Sequence, residues 1–338
     1  VSCPLPPFGH LRRLSDEGGL YEHARGTTPR RDRGYCLDDV ARALVVVSRE
    51  IEPDPTCAGL AGQYLSFVLA AQTEDGRFRN RRGTDLRWNG RPSVEDCWGR
   101  ALWGLGAAVS GHRDAGPLES ALTAFERGAG WRSPHRRAMA FAALGAAEIL
   151  DVLPDHRGAR ELIATAATMI GGPQDTESWL WPEPRLTYAN AVLPEVLLAA
   201  GAALDVPSLV ADGLRLLGWL LDLQTRKGHL SVVPVGGRGP ADPVPGFDQQ
   251  SIEVAALADA CGRAFVLTRQ QRWADGVDLA VAWFLGTNDS RTPLYDPNSG
   301  GGCDGLERDG RNENQGAEST LAFVSTMQQA RRLSVCAR

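Results

Sequence analysis

Polar and apolar positions alternate between two kinds of helical run along this chain. The first kind opens at Tyr35-Cys36-Leu37-Asp38-Asp39-Val40-Ala41-Arg42, where two adjacent carboxylates precede a body that is wholly apolar after Arg42. A surface helix keeps a polar stripe along its length. This run has none, so it is predicted to be buried on all sides with its charged end at an opening. Runs of this kind begin near residues 35, 94, 133, 186, 248 and 314. More amphipathic runs lie between them, at about 57–71, 117–129, 156–170, 207–223 and 270–285.

A unit that cannot bury its own apolar face must stack on its neighbours. The alternation therefore predicts an all-α chain folded as an (α/α)6 toroid, with six inner and six outer helices. Residues 35–338 are expected to form one toroid domain. Residues 1–34 are expected to be a linker and irregular segment; the twelfth helix comes either from that segment or from upstream. Closure would set the last inner helix beside the first. Long loops (73–92, 173–185, 226–247 and 287–313) precede inner helices, which places a site at one rim. An open solenoid would keep one repeat length and short turns.

Two echoes support the repeat. Aligning Arg42 with Arg100 sets Asp38 opposite Asp96. The helix end Gln72-Thr73-Glu74-Asp75-Gly76-Arg77-Phe78 matches Gln224-Thr225-Arg226-Lys227-Gly228-His229-Leu230.

Composition narrows the function. A net charge of −5 offers no basic patch for nucleic acid. No apolar run reaches the ~18 residues of a membrane span. The start at Val1 and the stretch Cys3-Pro4-Leu5-Pro6-Pro7 suggest a fragment of a longer polypeptide. Seven scattered cysteines, without a C-x-x-C pair or a histidine cluster, predict neither zinc nor any other metal. They suit a reducing bacterial cytoplasm. No cofactor is expected: Gly300-Gly301-Gly302 lacks the Lys and Ser/Thr of a phosphate loop.

If the helices are placed correctly, one rim gathers carboxylates, amides and flat aromatics, a set that suits a sugar chain. Two carboxyls can then split a glycosidic bond, one as acid and one as base or nucleophile. The candidate catalytic residues are Asp38, Asp39, Glu95, Asp96 and Glu318. An acid in a first helical turn is favoured by the helix dipole alone, by ~0.3–1 kcal/mol. Asn314 is explicable as a cap. Glu318, one turn inside a small and apolar helix, is not, and a buried Glu needs a partner or a raised pKa. Glu318 is thus the preferred acid, and Asp38 or Asp39 the base across the closure. Glu95 and Asp96 are a rival pair or substrate ligands. Candidate substrate contacts are Arg42, Trp88, Arg100, Trp179, Trp181, Tyr188, Asn190, Asp248, Gln249, Gln250, Asp304 and Gln315. Trp179 and Trp181 share a face if extended, as a sugar platform or a cover for the core. His23, before the first inner helix, could reach the same mouth, although a surface loop histidine is the plainer reading.

These residues resemble the (α/α)6 glycosidase superfamily. The segments Gly34 to Leu44 and Asn314 to Ala322 are similar to bacterial proteins encoded beside, or fused to, retaining glycosyltransferases. The resemblance implies a glycan-acting toroid with an oligosaccharide or polysaccharide substrate and a glycosyltransferase domain or neighbour as partner. It supplies no substrate identity and no catalytic pair. Three rival readings stand beside it. A terpene-cyclase-like toroid would need Asp38 and Asp39 in a dry aromatic cavity. A glycan-binding module would lack a carboxyl pair within about 10 Å. A sugar epimerase leans on histidines, and only His135 stands at an inner-helix start.

Overall fold

The computed structural model describes residues 7–53, 55–111, 115–174 and 179–336. The stretch Cys3–Pro6 lies outside them. The helices are α1 (Gly9–Leu14), α2 (Leu37–Ser48), α3 (Pro55–Ala71), α4 (Asp96–Gly111), α5 (Ala115–Ala129), α6 (Arg136–Val152), α7 (Arg157–Ile170), α8 (Val192–Leu204), α9 (Pro207–Gln224), α10 (Ser251–Thr268), α11 (Gln271–Phe284) and α12 (Ala317–Cys336). Helices α2, α4, α6, α8, α10 and α12 pack each on the next, and α12 returns to α2. The ring is closed. Across the closure Gln328 Nε2 donates to the Val46 carbonyl at 2.9 Å. Helices α3, α5, α7, α9 and α11 lie outside it, each packed on the inner helix that precedes it. The (α/α)6 toroid expected from the polar and apolar pattern is the observed fold.

The inner bodies are buried all round because they consist of small and apolar residues. From Ala138 to Leu150 of α6 every residue is buried. Glycine sets the closest approach. A Cβ at Gly99 or Gly106 of α4 would run into the Ala138 or Gly145 carbonyl of α6, and one at Gly145 into the Leu102 carbonyl. The α4–α6 seam is therefore backbone against backbone.

Residues 9–34 are not a linker. Helix α1 packs on α12 and α3 in the place of the twelfth helix. Leu11, Leu14 and Leu20 are fully buried. Short hairpins follow, and these clip onto the start of α12. Gln315 N–H donates to the Gly26 carbonyl and Ala317 N–H to the Glu22 carbonyl, both at 3.0 Å. The loop residues Glu22 and His23 are thereby carried to the mouth of the ring.

Small antiparallel strands stiffen the same end. Tyr35–Cys36 pairs with Arg81–Arg82, which pairs with Trp88–Asn89. This ties the start of α2 to the loop after α3. The repeated helix end also has a physical basis. Gln72 Nε2 donates to the Ala124 carbonyl at 2.8 Å, Phe78 is fully buried, and Gly76 has φ +90.

Candidate active site

The first turns of α2, α4 and α12 meet at one cavity of about 410 Å³. Asp38, Asp39, Arg42, Asp96, Arg100, Tyr188, Asp304 and Glu318 line it, so eight of the residues singled out from the sequence come together. Glu22, His23, Cys36, Arg81 and Ser319 complete the wall. The loop position of His23 is the signal that had pointed there. For Glu22 and Arg81 the sequence carried none, because a strand pairing and a loop clip position them.

Two arginines organise the floor. Arg42 Nη1 donates to Glu318 Oε2 at 2.6 Å, and Nη2 lies 3.0 Å from Asp39 Oδ1. Arg100 Nε lies 3.4 Å from Asp38 Oδ1, and Nη2 lies 3.8 Å from Asp96 Oδ2. The Arg100 guanidinium also sits 4.0 Å over the Phe141 ring. Asn80 Nδ2 donates to Asp38 Oδ2 at 2.9 Å, and the Tyr188 hydroxyl to Asp96 Oδ2 at 2.6 Å. Asp304 Oδ1 accepts from Gly316 N–H and the Ser319 hydroxyl, both at 2.9 Å. One guanidinium joins Glu318 and Asp39. Their separation therefore lies inside the outer limit of about 9.5 Å that two-carboxyl chemistry uses.

Both adjacent aspartates border the cavity, but Asp39 is 2% exposed and bound to Arg42, whereas Asp38 is the more open of the two. Helical geometry turns neighbours about 100° apart, and burial resolves which one looks out.

The carboxyls differ in proton affinity. Burial pushes Asp39 up to about 7; the charges of Glu318, Glu22 and Asp38 reinforce this, and Arg42 only partly offsets it. Burial also raises Asp304, with the charge of Glu318 adding to it, in spite of the two donors on Oδ1. Burial pushes Glu318 upward too, but Arg42 and Arg100 outweigh it and hold Glu318 below its usual value. The two arginines thus favour the carboxylate form of Glu318.

The remaining candidates lie elsewhere. Glu95 is exposed and faces a neighbouring cavity. Asp248 is exposed outside the cavity, and Gln250 is the N-terminal flank of α10. Asn190, Gln249 and Gln315 are buried in structural bonds. Asn190 Nδ2 donates to Glu253, Gln249 joins Trp283 and Asp289, and Gln315 joins Asp296 and Ser299. Their amides are spent inside the wall rather than offered to a ligand. Trp181 is fully buried and stacks on Trp219, and Trp179 meets the edge of the same ring. Trp88 packs on Phe67. These three tryptophans cover the core and provide no platform in the cavity. His135 also lies outside it, on the cavity of Glu95.

Polar side chains surround Asp38, so the dry aromatic pocket of a terpene cyclase is not present at this mouth. Glu22, Cys36 and Asp39 bring ligand atoms within 4.8 Å of one another. Arg81 already holds Glu22, Arg42 holds Asp39, and burial raises the Cys36 thiol well above its ordinary value. That is an arrangement for neutralised carboxylates, not for a cation. Among the described residues, no helix is long and apolar enough to cross a membrane.

No protein-family model and no curated protein matches the sequence. Solved structures do match along nearly the whole chain. Cellobiose 2-epimerase from Spirochaeta thermophila has a TM-score of 0.70 at 14% identity, over 97% of this chain and 93% of that one. D-mannose isomerase has a TM-score of 0.73 at 11% identity, over 96% and 94%. The GH76 alpha-mannanase of Bacteroides thetaiotaomicron has a TM-score of 0.67 at 11% identity, over 96% and 93%. At these identities the likeness establishes the toroid fold.

Proposed function

We propose that the protein is a carbohydrate-active enzyme that cleaves glycosidic bonds, with Asp304 as general acid and Glu318 as its ionised partner. One observation carries this reading. Two carboxyls on adjoining segments share a polar cavity, and their surroundings push their proton affinities apart, Asp304 up and Glu318 down. Opposed displacements of this kind mark an acid and a base. The sequence had suggested Glu318 as acid; the Arg42 clamp favours the exchanged role. Asp38, Asp96 and Tyr188 supply hydrogen bonds to hydroxyls. Asp39 acts through Arg42, which it helps to orient. The named neighbours of this fold act on sugars, and the two quoted motifs resemble domains linked to glycosyltransferases. Both support the same substrate class.

One observation favours a second reading. His23 stands in the same cavity as Asp304 and Glu318, and an imidazole there suits proton transfer at a carbon beside a carbonyl, as sugar epimerisation requires.

Turnover of oligosaccharides from disaccharide to hexasaccharide in heavy-oxygen water and in deuterium oxide separates the two. Hydrolysis places ¹⁸O on the released sugar; epimerisation leaves the linkage intact and puts deuterium on carbon. Asp304→Asn and Glu318→Gln are each expected to lower hydrolysis by about 10²–10⁴-fold. Hydrolysis that survives both substitutions would sink the assignment. Binding without any turnover by the native protein would favour the glycan-binding module.

A further inference from the structure

The central cavity is not isolated. It shares Glu22, His23 and Arg81 with a cavity of about 510 Å³ that runs over the loop at Thr84 and Asn89. On another side it shares Asp96 and Tyr188 with a cavity of about 690 Å³ bounded by Glu95, His135 and Arg137. Each of the three falls in the range of about 300–1,000 Å³ that encloses a whole small ligand. The two partitions are made of side chains with hydrogen-bonding tips. One is the Tyr188 hydroxyl bonded to Asp96; the other is Arg81 bonded to Glu22. The consecutive acids at the start of α4 divide between two compartments: Glu95, just before the helix, goes to the flank, and Asp96, its first residue, to the partition.

We infer that the substrate is a chain of several sugar units laid across all three cavities, gripped on both sides of Asp304 and Glu318 and cut within its length. This rests on the glycan reading above. Here Asn89 on one flank and His135 on the other present exposed polar groups. The His135 side chain makes no capping bond to α6, although it stands at the N-cap position.

The test is affinity against chain length, with cello- and manno-oligosaccharides from disaccharide to octasaccharide as probes, measured by calorimetry on the Glu318→Gln protein. Affinity for one series is expected to rise at least about tenfold, or 1.4 kcal/mol, between disaccharide and hexasaccharide. Asn89→Ala and His135→Ala should each weaken the hexasaccharide about three- to tenfold, the value of one hydrogen bond, and leave the disaccharide unchanged. Equal affinity at all lengths, no binding in either series, or equal loss for disaccharide and hexasaccharide would overturn the inference. Binding and catalysis are read separately. If Asp304→Asn and Glu318→Gln keep full turnover, the catalytic assignment fails while the length dependence is still decided by calorimetry.

Discussion

The inner barrel carries clusters of arginines and acids at two levels, and they are built to opposite ends. At the mouth, Arg42 and Arg100 hold four carboxylates around open space. Towards the base, Arg49 at the end of α2 lies 2.5 Å from Glu148 of α6 and 3.6 Å from Asp259 of α10. Ser110 donates to the other oxygen of Glu148 at 2.9 Å, Gln329 donates to Asp259 at 2.7 Å, and the Arg49 guanidinium covers the Trp103 ring. Arg49, Glu148 and Asp259 are each less than a tenth exposed. Between the two levels runs a narrow apolar gap of about 50 Å³, lined by residues such as Val45, Phe141 and Leu321.

The difference lies in what the charges face. Base charges face one another, so their only outlet is stability. The acids there divide in proton affinity too: Arg49 overrides burial and brings Glu148 below its usual value, whereas burial pushes Glu195, bound to Arg263, upward. At the mouth each arginine is shared between acids that also border an open cavity. Buried ion pairs are thus no sign of a site by themselves. The sign is a cluster left open on one side.

Three substitutions probe this contrast, in order of expected effect. The largest is Glu318→Gln, which should lower turnover by about 10²–10⁴-fold while the folding midpoint stays close to that of the native protein. A loss of fold in place of activity would erase the distinction between mouth and base. Next, Arg49→Met should cost about 3–5 kcal/mol in chemical denaturation, because it strands buried Glu148 and Asp259. Turnover per folded molecule should stay near native. Adding Glu148→Leu should recover part of the loss, since a buried pair removed whole is cheaper than one removed by half.

A pH measurement sharpens the same contrast. Asp39 is pushed up to about 7 in the folded protein and titrates near 3.9 when unfolded. Between those values the folded state binds more protons, so stability falls as pH rises through that window. Glu148 has the opposite sign: its folded pKa is lowered, and its contribution is lost as pH falls. Asp39→Asn should therefore flatten the decline of stability between about pH 4 and pH 7. An unchanged slope would show that Asp39 is already ionised in the folded state.

Much of this was legible in the chain. Apolar bodies with polar starts mark the inner helices, because burial on all sides excludes polar stripes. The alignment of Arg42 with Arg100 set Asp38 opposite Asp96, and both border one cavity, since corresponding first turns of a closed ring face one axis. The base cluster was legible too, but by a rule applied to one residue alone. Glu318 stood out as a carboxyl inside an apolar helix, and Glu148 in α6 and Asp259 in α10 stand in the same kind of setting. What the pattern could not supply was the partner. Asn190 and Gln249 stand just before α8 and α10, at polar starts like that of Asp38, yet tertiary bonds to Glu253 and Asp289 draw them into the wall. The tryptophans of 179–181 were equally ambiguous, because a large aromatic covers a core as readily as it receives a ligand.

The smallest expected effect marks where the mouth ends. The chemistry occupies the arc from α12 through α2 to α4, together with Tyr188 and the loops that carry Glu22, His23 and Asp304. Beside α12, at the edge of that arc, the start of α10 is closed: Gln249 accepts from Val232 N–H at 3.3 Å and donates to Asp289 at 2.7 Å. Asp248 lies outside that closure, exposed to solvent. Asp248→Ala should thus change stability by no more than about 0.5 kcal/mol, as surface substitutions do, and leave kcat/KM within about twofold. A tenfold loss of kcat/KM, about 1.4 kcal/mol of transition-state stabilisation, would mean that substrate reaches α10. The working rim would then extend past α12, and the open arc at α12, α2 and α4 would be only part of it.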